Sequence, residues 1–377
     1  MRDRRAPTHR VIVAPPRPFA SVDVARASRT VRARERGRNA RFVARARALD
    51  SHLSRSPRAR RQRPRDGYPN PNRPERFFRA SLDMRDVLIA RDVRMPTLAF
   101  GTYRLRGDEC RDAVREALAV GFRHVDTATC YRNERAVAEA LAATSLATSS
   151  ETFITSKISP SEMHGEAETT RAIEGVVERL GRPPSLLLVH WPGRSKVAPS
   201  SDAHREARAC TWRAFERALR NGLCRAIGVS NYEISHLEEL LAVAEIPPAV
   251  NQIELHPRFP QVDLRRFCAE RRVRVVGYSP LGVGALLTEP RVVSFAEDLG
   301  LPPAPALVRW SLARAAAVVV KSSTRERAEE NFRVYRAMDE EDEDEKTKGR
   351  VESAVDALER AFERDRVKFC WDPATVS

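Results

Sequence analysis

The chain has 377 residues, 42% hydrophobic and 31% charged, with a formal net charge of +15 at pH 7; it is long enough for one large domain or two smaller ones. The excess charge belongs to one segment: residues 1–80 hold 23 arginines, no lysine and 6 acidic residues, a net of +17, and the remainder sums to −2. A nearly neutral body argues against a nucleic-acid or acidic-membrane partner for the protein as a whole, and no run of 18 apolar residues offers a membrane span.

Residues 1–83 are rich in Arg and Pro, carry 9 of the 25 prolines before residue 80 and show no sustained apolar period, so they are expected to be disordered. An Arg-rich, acid-poor N-terminus fits an organelle transit peptide; a translation start at Met84 would instead make the upstream part a gene-model artefact. A nucleic-acid-binding arm fits less well, because few aromatic residues (Phe19, Phe42, Tyr68, Phe77 and Phe78) are interleaved to stack bases. The expected compartment is the cytoplasm, or a plastid or mitochondrion if the extension is a transit peptide.

From residue 84 onwards the pattern changes. DVLIARDVRMP (86–96) reads as a hairpin able to plug a barrel floor. Short β-type runs follow at LAFGTYR (98–104), RHVDTA (123–128), TFITSK (152–157) and SLLLVHW (185–191). They continue at CRAIGVSN (224–231), AVNQIEL (249–255), VRVVGYSP (273–280) and AAVVVKSS (316–323). Helix-period segments such as ECRDAVREALAV, TTRAIEGVVERL and SHLEELLAVAE separate them. Eight strand–helix units in about 290 residues predict an α/β fold, a parallel (β/α)8 TIM barrel over 84–377, since such barrels take roughly 250 residues. DEEDEDEKTKGR (339–350) reads as a solvated acidic loop, and the closing KFCWDPATV as a tail folding back onto the barrel.

A barrel gathers its site at the C-terminal ends of its strands. There the sequence places Asp126, Lys157 and His190, with Tyr131 in the loop after the second strand. A phenol has an ordinary pKa of roughly 10, so it is a slow acid at neutral pH. A neighbouring ammonium pulls that value down, and a carboxylate beside the ammonium keeps it charged. On this reading Asp126 supports Lys157, Lys157 tunes Tyr131, and His190 orients a substrate oxygen or shares the proton. No GxGxxG follows a strand and no P-loop is present. Instead the eighth strand runs into Lys321, a Ser323–Glu326 capping box and a helix whose first turn holds Arg325 and Arg327. Cations there oppose the helix macrodipole, a conflict that a bound anion would resolve. The six cysteines (110, 130, 210, 224, 268, 370) form no CxxC pair, which argues against a disulfide framework and against a metal site.

GFRHVDTATCYRNE, TFITSK, LLLVHWP, AIGVSNY, VNQIELHP, VVGYSPLG and VVVKSSTRERAEEN together resemble the aldo-keto reductase superfamily over about residues 85–335. The resemblance implies a catalytic tetrad of Asp126, Tyr131, Lys157 and His190, with Tyr131 as general acid, and NADPH/NADP+ as cofactor. It implies that Ser230, Asn231 and Gln252 hold the nicotinamide carboxamide, that Tyr278 stacks on the ring, and that Thr102 and Tyr103 line the same mouth. Ser279 and Leu281 match pyrophosphate positions. Lys321, Ser322, Ser323, Thr324, Arg327, Glu330 and Asn331 match the adenosine side, with Lys321 and Arg327 on a 2′-phosphate. Trp191, Tyr103 and Cys130 are expected to wall the substrate pocket. Ala99 stands where the family has glycine, and Val320 where it has proline. The implied activity is NADPH-dependent reduction of small-molecule aldehydes and ketones by a monomer. Two rivals stand beside it: a Schiff-base lyase using Lys157, which the adjoining Asp126 opposes, and a nucleotide-binding redox sensor without turnover.

Overall fold

Runs of β-branched and aliphatic residues that are apolar on both faces, such as Leu186–Val189 and Ala317–Val320, suit strands covered by side chains within a barrel and by helices outside it. The computed structural model describes residues 86–376 apart from 146, 147, 149, 150 and 342–344. The expected disordered extension 1–83 and the start at Met84 lie outside the described residues.

A two-stranded antiparallel hairpin, β1 (Asp86–Ala90) and β2 (Val93–Pro96), precedes the barrel. Eight parallel strands then close on themselves: β3 (Leu98–Gly101), β4 (His124–Asp126), β5 (Phe153–Ile158), β6 (Leu186–Val189), β7 (Ile227–Ser230), β8 (Val250–Glu254), β9 (Arg274–Tyr278) and β10 (Ala317–Val320). Each expected strand is present, cut back at its ends where pairing stops. β10 meets β3 through Val319 opposite Ala99, so neither Ala99 nor Val320 prevents closure. The hairpin does plug the floor: Val93 and Met95 pack among Ala99, Leu188, Val250, Val276 and Val319. Gly228 on β7 is required by the same closeness, because a Cβ there would sit 2.6 Å from the Val250 carbonyl oxygen.

The surrounding helices are α1 (Gly107–Val120), α2 (Glu134–Ala142), α3 (Glu166–Leu180), α4 (Ala203–Arg220), α5 (Ile234–Val243), α6 (Val262–Glu270), α7 (Pro290–Asp298), α8 (Pro303–Leu312), α9 (Arg325–Glu341) and α10 (Glu345–Ala361). α3 shows why they form. Thr169, Ile173, Val176 and Leu180 recur at helical spacing and are buried, Glu166 and Glu168 lie in the first turn, and left-handed Gly181 (φ 70°) ends the helix.

Two expectations are corrected here. Of the acidic run 339–350, expected to be a loop, the described residues are helical: those up to Glu341 close α9 and those from Glu345 open α10, because Glu and Lys are good helix formers whatever their charge. The cap of α9 is also displaced. Thr324 rather than Ser323 lies across the helix start, with Oγ1 3.5 Å from the Arg327 amide that donates to it.

Candidate active site

Asp126 ends β4, Lys157 is the penultimate residue of β5 and His190 follows β6, so three neighbouring strands deliver them to one rim. Lys157 is buried, and Nζ donates to Asp126 Oδ1 (2.5 Å) and to the Thr127 carbonyl (2.9 Å). The second Asp126 oxygen accepts from Gln252 Nε2 at 2.8 Å. Tyr131 closes a 3-10 turn, Thr129–Tyr131, that breaks off in left-handed Arg132 (φ 56°). Asn133 locks that turn from below: its amide donates to the Thr102 and Leu105 carbonyls and accepts from Thr127 Oγ1. The Tyr131 ring comes to rest 5.4 Å from Lys157 Nζ, 5.7 Å from the His190 ring and 5.2 Å from the Tyr103 ring. All four expected residues therefore face one small volume.

The electrostatics differ from the sequence expectation in one respect. Burial raises the Tyr131 phenol well above its ordinary range, and the Asp126 carboxylate adds to the rise. The expected downward pull of Lys157 does not prevail, because its charge is already matched by the Asp126 oxygen 2.5 Å away. The phenol keeps its proton, which is the state a donor needs. His190 is held well below its ordinary value, first by burial and then by Lys157, so its ring is neutral at pH 7.

On the next strands the groups expected to meet a carboxamide are already bonded to each other. Ser230 Oγ donates to the Gln252 carbonyl (2.8 Å), and Asn231 Nδ2 donates to the His190 carbonyl (2.9 Å) and reaches Ser230 Oγ (3.1 Å). Tyr278 donates its hydroxyl to Asn231 Oδ1 at 2.7 Å. Thr102 is buried and donates to the Asp126 carbonyl. Ser279 is left-handed (φ 52°) and begins the turn through Leu281.

The β10–α9 junction is built differently. Arg325 is engaged by Glu116 (2.6 Å) and Glu329 (2.7 Å). Lys321 and Arg327 are exposed and have no acidic partner among the described residues. Ser322 and Asn331 are buried and Asn331 Nδ2 points at Ser322 Oγ (3.4 Å), but Asn331 Oδ1 is a buried acceptor with no hydrogen-bond partner. Ser323 and Thr324 are exposed, and Glu330 is half-buried on the same helix.

Sequence reasoning missed how the tail is fastened. Glu254, buried at the end of β8, accepts the amides of Phe369 (2.7 Å) and Cys370 (3.1 Å), His256 Nε2 (3.0 Å) and Lys368 (3.4 Å). Burial alone would raise this carboxyl, but His256, the Phe369 amide and Lys368 bring it down to about 2. So held, the tail lays Trp371 edge-on against Trp191, ring centroids 4.6 Å apart. Nearby, Tyr103 meets the Tyr131 ring and Cys130 meets His190, and Trp371 is still 51% exposed. Only the QIELHP block itself signalled that Glu254 mattered.

The sequence model of the aldo/keto reductase family matches residues 97–348. Glyoxal reductase of Bacillus subtilis is 36% identical over 251 residues, which cover 66% of this chain and 86% of the relative. The 9,11-endoperoxide prostaglandin H2 reductase of Trypanosoma cruzi is 36% identical over 254 residues, 66% of this chain and 85% of its own. Among solved structures, a Gox0644 variant in complex with NADPH superposes with a TM-score of 0.66 at 30% identity, covering 78% of this chain and 99% of that one. An aldo/keto reductase from Brucella melitensis does so with a TM-score of 0.60 at 34% identity, covering 67% and 93%.

Proposed function

The chain belongs to the aldo/keto reductase family, and from that premise we propose that it reduces aldehydes and ketones to alcohols with NADPH. The observation that carries this reading is the buried Lys157–Asp126 pair beside the protonated phenol of Tyr131 and the neutral ring of His190. NADPH, when bound, supplies the hydride. Tyr131 gives its proton to the carbonyl oxygen as charge develops there. Lys157 and His190 stabilise that charge within a site whose dipoles are already in place. Asp126 engages the Lys157 nitrogen at 2.5 Å, a contact that Schiff-base chemistry at Nζ would have to break.

The residues present fit the cofactor. Lys321 and Arg327 would clasp the 2′-phosphate, aided by Ser322, Ser323 and Thr324 at the start of α9, where an anion relieves the clash between cations and macrodipole. Asn331 Oδ1, a buried acceptor lacking a donor, and Glu330 suit the adenine side. Ser230, Asn231 and Gln252 would exchange part of their mutual bonding for the carboxamide, Tyr278 would cover the ring, and Ser279 and Leu281 would meet the pyrophosphate. Two cations without acidic partners among the described residues favour NADPH over NADH, which has only a hydroxyl at that position.

The test is oxidation of NADPH by the purified protein with a panel of small, aromatic and dicarbonyl aldehydes and ketones, NADH serving as comparison. Turnover with NADPH at least tenfold more efficient than with NADH is expected. NADPH binding by a folded sample that turns over no carbonyl would favour a nucleotide-binding sensor instead.

A further inference from the structure

Cys130 has no part in the chemistry above, yet its sulfur lies 3.5 Å from Nδ1 of His190. A neutral imidazole carries one N–H, on Nδ1 or on Nε2. Its location decides whether Nε2 donates to a substrate oxygen or can only accept from it. Among the described residues Nε2 of His190 has no hydrogen-bond partner, so the choice rests on what Nδ1 meets.

The protons around Cys130 can be placed in order. Glu162 Oε2 accepts from Thr129 Oγ1 (2.5 Å) and from the Ser159 amide (2.8 Å), so the hydroxyl proton of Thr129 is directed at a carboxylate. Ser159 Oγ lies 2.7 Å from Thr129 Oγ1 and must be the donor of that pair. The same Ser159 oxygen already accepts the Glu162 amide as the cap of the turn Pro160–Glu162. Ser159 also lies within reach of the Cys130 sulfur, but its proton is committed to Thr129 and one of its two lone pairs to the Glu162 amide, which leaves it the poorer acceptor beside a neutral imidazole nitrogen. Cys130 is exposed, but the best acceptor that the protein itself offers the thiol is the sp² nitrogen of His190.

We propose that the Cys130 S–H donates to Nδ1 of His190 and so fixes the Nε2–H tautomer, leaving Nε2 to donate to the reacting carbonyl oxygen. Cys130 is thus a positioning residue that acts through His190, braced in turn by Ser159, Thr129 and Glu162. The inference rests on the proposed contact between His190 and the substrate oxygen.

Nitrogen NMR of protein labelled with ¹⁵N-histidine tests it, the His190 signals being assigned by their loss in His190→Gln. In the unaltered protein at neutral pH, Nε2 should resonate as a protonated nitrogen and Nδ1 as an unprotonated one. Cys130→Val keeps a side chain of similar size but removes the donor. It should raise the Nδ1–H population and lower kcat by about tenfold, well short of losing the proton donor itself, with little change in the KM for NADPH. Cys130→Ser, which restores a donor, should recover the Nε2–H signature and most of kcat. A His190 protonated on Nδ1 in the unaltered protein, or a tautomer that Cys130→Val leaves unchanged, overturns the inference. The NMR measurement needs no turnover, so its failure is distinct from failure of the reductase reading, which would show as a correct tautomer without carbonyl reduction.

Discussion

Along the β4–β9 side of the rim most polar groups have partners within the protein, His190 Nε2 being left for a ligand among the described residues. Lys157 is shared between Asp126 and the Thr127 carbonyl, Asp126 also holds Gln252, and the Asn231 amide is divided between His190 and Tyr278. At the β10–α9 end the opposite holds: Lys321 and Arg327 stand exposed without acidic partners among the described residues, and a buried Asn331 oxygen lacks a donor. The difference separates two tasks. A site that must stabilise developing charge gains from dipoles that need no rearrangement. A site that must hold a charged ligand gains from groups that the ligand itself completes. Substitutions in the Asp126–Tyr131–Lys157–His190 cluster should therefore cost turnover or stability, and those at the open end, at Lys321 and Arg327, should cost cofactor affinity without loss of stability.

The largest effect is expected at Tyr131. Tyr131→Phe removes only the hydroxyl and leaves the ring contacts with Tyr103 and His190. Turnover should fall by about 10²–10⁴-fold while the Kd for NADPH, read by fluorescence titration, stays within about twofold. Unchanged kcat in this variant would remove Tyr131 as the donor. A large loss of NADPH affinity would break the separation between the two ends.

Glu254 sharpens the comparison at the mouth, where the protein again satisfies its own groups. Its folded value of about 2 lies below the roughly 4.3 of an ordinary glutamate, so the unfolded chain takes up the proton first as pH falls. The stabilisation is present in full above the ordinary value and is lost progressively as pH drops towards 2, on the order of 3 kcal/mol in all. Glu254→Gln keeps the shape but sets an NH2 against an amide that needs an acceptor. Thermal unfolding between pH 5 and pH 3 should show a flatter pH dependence in the variant, and its tail near Val367–Trp371 should be cut faster by protease. Identical slopes for the two proteins would show that the clamp does not hold the tail.

Much of this was legible in advance, for reasons that particular residues make plain. The eight strands announced themselves as short β-branched runs, and in a closed parallel barrel strand ends share a rim, so Asp126, Lys157 and His190 could be gathered before any contact was known. The hold of Glu254 on Phe369 and Cys370 spans more than 100 residues of sequence and carries no periodicity. The helical state of 339–341 and 345–350 was masked by reading charge as a sign of loop. The phenol of Tyr131 was misjudged because the sequence names its charged neighbours but not their distances. Lys157 is paired with Asp126, and burial, invisible in a string of letters, dominates at the phenol.

The smallest effects belong to the open end, and there the sign is the informative part. Lys321→Ala and Arg327→Ala should each raise the Kd for NADPH about tenfold, near 1.4 kcal/mol, and leave that for NADH almost unchanged, since the lost contact is with a phosphate NADH lacks. Neither change should destabilise the cofactor-free protein, because neither side chain has an acidic partner to lose among the described residues. For Arg327→Ala the expectation goes further. The residue lies in the first turn of α9, where a cation opposes the macrodipole, and removing it should stabilise the free protein by about 0.3–1 kcal/mol at low salt. Thermal unfolding with and without NADPH would then cross over, the variant melting higher alone and lower with cofactor. A variant that melts lower in both conditions would mean that Arg327 is held by the fold rather than left for a ligand.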